Sequence, residues 1–198
     1  MNPSNADIGR LISTGDPFRI SVVGFSAIES VLEELISESL PKKHRLELSR
    51  LSPAFKVDLA IGLGVFDIEF KGILLRLAKI RNKYAHEVNL DTVPFNVKEL
   101  ISSMEATQRN SISNKESPDP VGVLGFAVLT TFIDVTSRIK WLGIQKQQRI
   151  EKLAELRAVL DETLVIDEVK ETEYYRKLRE RIESRKQKYL ESIPVNEI

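Results

Sequence analysis

The chain has no cysteine, which removes a disulfide framework, thiolate metal ligation and thiol catalysis together. Histidine is nearly as scarce. With only His44 and His86, a histidine-rich metal site is out of reach. Charge of one sign is missing too: 29 basic side chains balance 29 acidic ones. The molecule therefore lacks the global positive field of a protein held on nucleic acid mainly by phosphate contacts, and only a local basic cleft could serve that role. No Gly-rich phosphate loop, internal repeat or convincing strand alternation is visible. The most apolar run, Val121 to Val135, is too short to span a bilayer and contains Asp134, so it reads as a buried helix. The start, MNPSNADIGR, lacks a basic segment followed by an apolar one, so no secretory signal is expected. These absences point to a cytoplasmic protein with no membrane association.

What remains is helical periodicity. Val22, Phe25, Ile28, Leu32, Leu35 and Ile36 predict a helix from Phe18 to about Leu40, ended by Pro41. Ser52 and Pro53 form a second helix start, leading to a turn at Gly62-Leu63-Gly64. Asp67 is expected to cap a third helix running to about Val88, and a shorter one is expected over Val97 to Thr107. The segment 108–120 (QRNSISNKESPDP) has little to bury and reads as an exposed loop. Val121 to Ile144 follows as a central core helix. From Gln145 onward the composition turns heavily charged, with leucines at 153, 156, 160 and 164 and a last helix over about Asp167 to Leu190. That tail suits either a helical arm packed on its own domain or a twin subunit, or a solvated helix. The expected fold class is all-α, with a bundle domain over 1–144 and a charged helical extension over 145–198.

Chemistry concentrates in Ala78-Lys79-Ile80-Arg81-Asn82-Lys83-Tyr84-Ala85-His86. On a helical wheel, Phe70, Ile73, Leu74, Leu77, Ala78, Ile80, Tyr84 and Ala85 share a broad apolar face with Arg81 in its middle. Lys79, Lys83 and His86 lie on the other side, with Asn82 and His86 one turn apart. An arginine among apolar neighbours must reach water, line a cleft or pair with a carboxylate. Glu29 is the matching oddity on the Phe18 to Leu40 helix, so a Glu29 to Arg81 ion pair between antiparallel neighbours is expected. A purely structural reading exists for all three residues. Arg81 then pairs with Glu29, Asn82 bonds nearby backbone, and His86 decorates a helix C-terminus, where a cation is favourable.

The hexapeptide Arg81-Asn82-Lys83-Tyr84-Ala85-His86 resembles the Arg, polar residue, several positions, His signature of the HEPN superfamily, small helical bundles that include metal-independent ribonucleases and toxins. The longer pattern of Leu51-Ser52, Lys56, Leu59-Ala60, Leu63-Gly64, Ile80-Arg81-Asn82 and Ala85-His86 resembles the mannitol operon repressor family, a helical group described as regulatory. The resemblance covers roughly Ile20 to His86. It implies a HEPN-like antiparallel bundle acting as a homodimer, with a shared cleft in which Arg81 stabilises charge on phosphorus, His86 moves protons and Asn82 orients the phosphate or the histidine. Glu29, Lys83 and Tyr84 are the supporting residues, and no cofactor or metal is implied. RNA would be the substrate of a toxin or defence enzyme, and an antitoxin or other protein its partner. The alternative implied by the second family is a non-catalytic regulator or scaffold. Arg81 and His86 lie about 140° apart around one helix, so converging on one atom requires a second subunit or a kink.

Other candidates read as structural. His44 lies in a basic connector, Pro41 to Arg45. Asp134 and Arg138 are expected to pair within their helix, and Trp141 to anchor a core or interface. Tyr174 and Tyr175 sit among charges of both signs that look like a solvated face.

Overall fold

Local capping chemistry sets the helix starts in the computed structural model, which describes residues 3–40, 46–86, 95–112, 119–163 and 171–192. Helix α1, Asn5–Ser13, opens on a capping box in which Ser4 accepts the Asp7 N–H and Asp7 accepts the Ser4 N–H. Helix α2, Pro17–Ser39, is capped by Asp16 with proline at its first position. Helix α3, Pro53–Gly62, repeats that device with Ser52, whose side chain accepts the Phe55 N–H. It ends where Gly64 takes a φ of 69°, a left-handed conformation in which its N–H and that of Val65 satisfy the Ile61 and Ala60 carbonyls.

The motif helix begins later than expected. Asp67 heads a short 3₁₀ turn, Ile68–Phe70, without a side-chain cap bond, and α4 proper runs over Lys71–His86. Asp67 is instead paired with Arg138. The predicted helix over 97–107 is two, α5 (Val97–Ser103) and α6 (Ala106–Ile112), broken at Met104, whose backbone is extended. The exposed loop expected from Gln108 is thus helical as far as Ile112, with Gln108 and Ile112 buried. A glutamine is read as surface from its type, yet here its amide bonds inside the protein. Helix α7, Pro120–Thr163, runs well beyond Ile144, and α8 covers Glu171–Ser192. The class is all-α, and no strand occurs among the described residues.

Two compact units emerge, Met1–Ile139 and Lys140–Ile198, a division a few residues before the change in composition at Gln145. In the first, α2 packs on α1, α3 and α4. Ile20, Phe25, Ile28, Leu35 and Ile36 of α2 are buried, as are Ile73, Leu74, Leu77 and Ile80 of α4, and Leu124, Val128 and Phe132 of α7. Each such side chain contributes about 1.5–3 kcal/mol when taken fully out of water. Gly24 lets α2 and α7 close up, since a Cβ there would stand 2.6 Å from Val128 Cγ1. By length and composition α7 is apolar enough to cross a membrane, contrary to the reading of Val121 to Val135 alone. Its Leu124, Ala127, Val128, Phe132 and Val135 are nevertheless buried, which is how a core helix uses such residues.

The charge on the apolar face of α2 belongs to a different network from the one expected. Lys56 of α3 is 2% exposed and donates to Glu29 Oε1 and Glu33 Oε1, both at 2.6 Å. The Glu29 to Arg81 pair is therefore not formed. An oddly placed charge reveals that a partner is needed, but not which neighbouring helix supplies it. Burial by itself would lower the Lys56 pKa, yet the two carboxylate bonds outweigh it and hold the group above its ordinary 10.5. Asp134 likewise bonds across elements. It accepts from Gln108 Nε2 at 2.9 Å while Arg138 reaches Asp67, so the intrahelical pair is replaced by two contacts between elements.

In the second unit, Arg157 lies over the Tyr189 ring at 5.0 Å, joining α7 to α8. Ala154 and Ala158 are buried, whereas Leu153 and Leu156 are 56% and 51% exposed. Trp141 is 53% exposed and anchors no core.

Lys56→Met leaves two carboxylates without their cation and should cost about 3 kcal/mol at neutral pH, a fall in Tm of about 10 °C. Adding Glu29→Gln and Glu33→Gln should recover most of it. Because the folded pKa lies above 10.5, the wild-type advantage over Lys56→Met is full below that pH and disappears as pH rises through the folded value. Chemical denaturation from pH 7 to 12 measures this. Gly24→Ala should cost about 1–3 kcal/mol by overpacking, with Val128→Ala restoring part of the loss in the double variant.

Candidate functional site

Exposure alternates along the last three turns of α4 as an amphipathic helix requires. Ile80 and Tyr84 are buried, Arg81 is half-buried, and Lys79, Asn82, Lys83 and His86 are exposed. Tyr84 meets Phe18 of α2 edge-on, with ring centroids 6.3 Å apart, so it holds α4 to α2 and takes no position in a cleft. Glu29 is occupied by Lys56.

The exposed side of α4 forms one wall of a groove of about 560 Å³. Leu75, Ala78, Lys79, Asn82, Lys83 and His86 line it from α4, at spacings of three and four, and Ser52, Pro53 and Ala54 at the start of α3 face them. Among the described residues no acidic side chain lines this groove. A second groove of about 570 Å³ runs along the other flank of the same two lysines, bounded by Arg76, Ile80, Phe95, Asn96 and Glu99. There the charge is partly offset, since Arg76 donates to Glu99 at 2.6 Å. Lys79 and Lys83 thus form a basic ridge between two depressions.

Arg81 does not line the His86 groove. Its Nη1 donates to Asn82 Oδ1 at 3.0 Å, so the guanidinium is linked to the groove through the asparagine. Of the residues expected to act together, Asn82, Lys83 and His86 share one depression, while Arg81 stands beside it on another side of the helix. Leu75 was not singled out in the sequence, although its place in the 3-4 stripe ending at His86 was available there. Ser52, Pro53 and Ala54 could not be placed by periodicity, because their position opposite α4 depends on how α3 docks. His44 falls outside the described residues.

Comparison with family models, curated proteins and solved structures finds no match to this chain.

Neither Arg81 nor His86 carries the fold. Arg81→Ala removes one bond to a sequence neighbour and His86→Ala truncates an exposed end of a helix, so each should change stability by less than about 1 kcal/mol. Thermal melts of the two variants should overlay the parent within a few degrees, and any functional loss they show would then be chemical.

Proposed function

We propose that this protein is a HEPN-like, metal-independent endoribonuclease of the cytoplasm, a toxin or defence component, acting as a homodimer. The observation that carries this reading is the placement of His86, Asn82 and two lysines in one groove that has no acidic lining among the described residues. A phosphodiester is attracted there, and an imidazole stands at the same spot for proton transfer.

Transesterification through the ribose 2′-hydroxyl needs no external nucleophile. His86 takes the 2′-hydroxyl proton as that oxygen attacks phosphorus, with water protonating the departing 5′-oxygen, or gives its proton to the 5′-oxygen while water accepts the one from the 2′-hydroxyl. The products are a 2′,3′-cyclic phosphate and a free 5′-hydroxyl. Charge growing on the phosphoryl oxygens calls for a cation. Within one copy Arg81 does not line the His86 groove, so the partner subunit's Arg81 is the group suited to that task, with Lys79 and Lys83 adding positive potential.

Labelled RNA incubated with the purified protein and a chelator should be cut to cyclic phosphate ends, with DNA of the same sequence intact. Arg81→Ala and His86→Ala should each slow cutting by about 100-fold or more. Mixing these two inactive variants should restore roughly a quarter of the parent rate, because half of the randomly formed dimers hold one intact composite site. A monomeric protein that leaves RNA uncut, yet binds a protein partner through the α4 ridge, would support the regulatory or scaffolding reading instead.

A further inference from the structure

The groove lined by α4 changes character along its length. Leu75 and Ala78 make its first part aliphatic, and Pro53 and Ala54 continue that surface on the opposite wall. Lys79, Asn82, Lys83 and His86 make the remainder polar, and what they present is almost entirely hydrogen-bond donors. The lysine ammonium groups can only donate. Asn82 has one bond to its carbonyl oxygen from Arg81 at 3.0 Å, and its amide group adds two N–H donors. No acidic side chain lines the groove among the described residues, and its one aromatic ring is the His86 imidazole at the polar end. The aliphatic end offers a flat base no ring to stack on, whereas a hydrocarbon chain would displace water from Pro53, Ala54 and Leu75 there.

We infer that this groove binds a small aliphatic anion. The hydrocarbon lies along Pro53, Ala54, Leu75 and Ala78, and a phosphate or carboxylate head is held by Lys79, Asn82, Lys83 and His86. The volume of about 560 Å³ suits such a ligand, since small-molecule sites span about 300–1,000 Å³. The two halves of the groove make the recognition conjunctive. An uncharged alcohol brings no opposite charge to the ammonium groups, and a bare inorganic anion gains nothing from the aliphatic end. A ligand seated there covers His86, so it also regulates the site by excluding RNA. That regulatory consequence rests on the ribonuclease reading, whereas the binding itself does not.

Calorimetric titration of the full chain with octyl phosphate, octanoate, octanol and inorganic phosphate, the alkyl anions kept below their micelle concentrations, tests the proposal. Octyl phosphate and octanoate should bind saturably at one site, with octanol and inorganic phosphate weaker by about tenfold or more. Lys79→Glu, an exposed reversal of charge, should weaken octyl phosphate by about tenfold or more. Ala54→Trp, also exposed, should block it by filling the aliphatic end. Sedimentation with phosphatidylcholine vesicles containing phosphatidic acid separates the two sources of such a head group. Capture on these vesicles assigns it to a lipid, and binding of the monomeric alkyl anions alone assigns it to a free metabolite. Equal affinity for octanol, indifference to both substitutions, or no heat of binding up to about 10 mM, a concentration above the weak end of specific affinities, overturns the inference. Octyl phosphate binding in a preparation that never cuts RNA supports the groove and removes the ribonuclease. RNA cutting that octyl phosphate neither inhibits nor accompanies by binding does the reverse.

Discussion

A buried ammonium group organises the first unit. Lys56 lies inside the protein with Glu29 and Glu33 of α2 at 2.6 Å, and a charge so placed tolerates few alternatives, because taking either carboxylate away leaves an uncompensated ion in a poor solvent. Apolar contacts alone would let α3 slide or rotate on α2 at modest cost. The three-way ionic contact does not, since its hydrogen bonds are short and directional. It fixes the angle at which α3 leaves Ser52, and with it the wall of the groove formed by Ser52, Pro53 and Ala54 opposite α4.

The same constraint explains why α4 can be chemically divided. Its inner side is committed to the core through Ile73, Leu74, Leu77, Ile80 and Tyr84, and edge-on contact with Phe18 secures the last turn. The outer side is then free to carry polar groups whose spacing follows from the helix alone. Arg81 stands at the border between the two. It is half-buried and bonded to Asn82, so it belongs neither to the ionic lock on α2 nor to the His86 groove. Position and chemistry part company there: the residue that looks most important by type is one step removed from the depression its neighbours line.

Much of the architecture was legible beforehand. Ser52-Pro53 announced α3, the 3-4 spacing of Val22 through Ile36 announced α2, and the apolar run after Pro120 announced a core helix. Other elements were not. α1 carries the capping residues Ser4 and Asp7 and sets Ile8, Leu11 and Ile12 at 3-4 spacing, yet at 9 residues it is too short for that pattern to repeat. α6 holds a buried glutamine whose role depends on Asp134 lying across from it. The leucine seam of the tail was visible as spacing, but spacing says nothing about whether another surface covers it, and Leu153 and Leu156 are exposed.

By itself the sequence determined the helical class, most helix starts, the two sides of α4 and the exclusion of thiol chemistry, because each of these depends on residues within a few turns of one another. Tertiary structure alone decided that Lys56 takes the Glu29 carboxylate expected for Arg81 and Glu33 with it, that Asp134 turns to Gln108, and that the start of α3 faces His86. Those outcomes are choices among partners distant in the chain. Helical periodicity says which way a side chain points, and only packing says what it meets there.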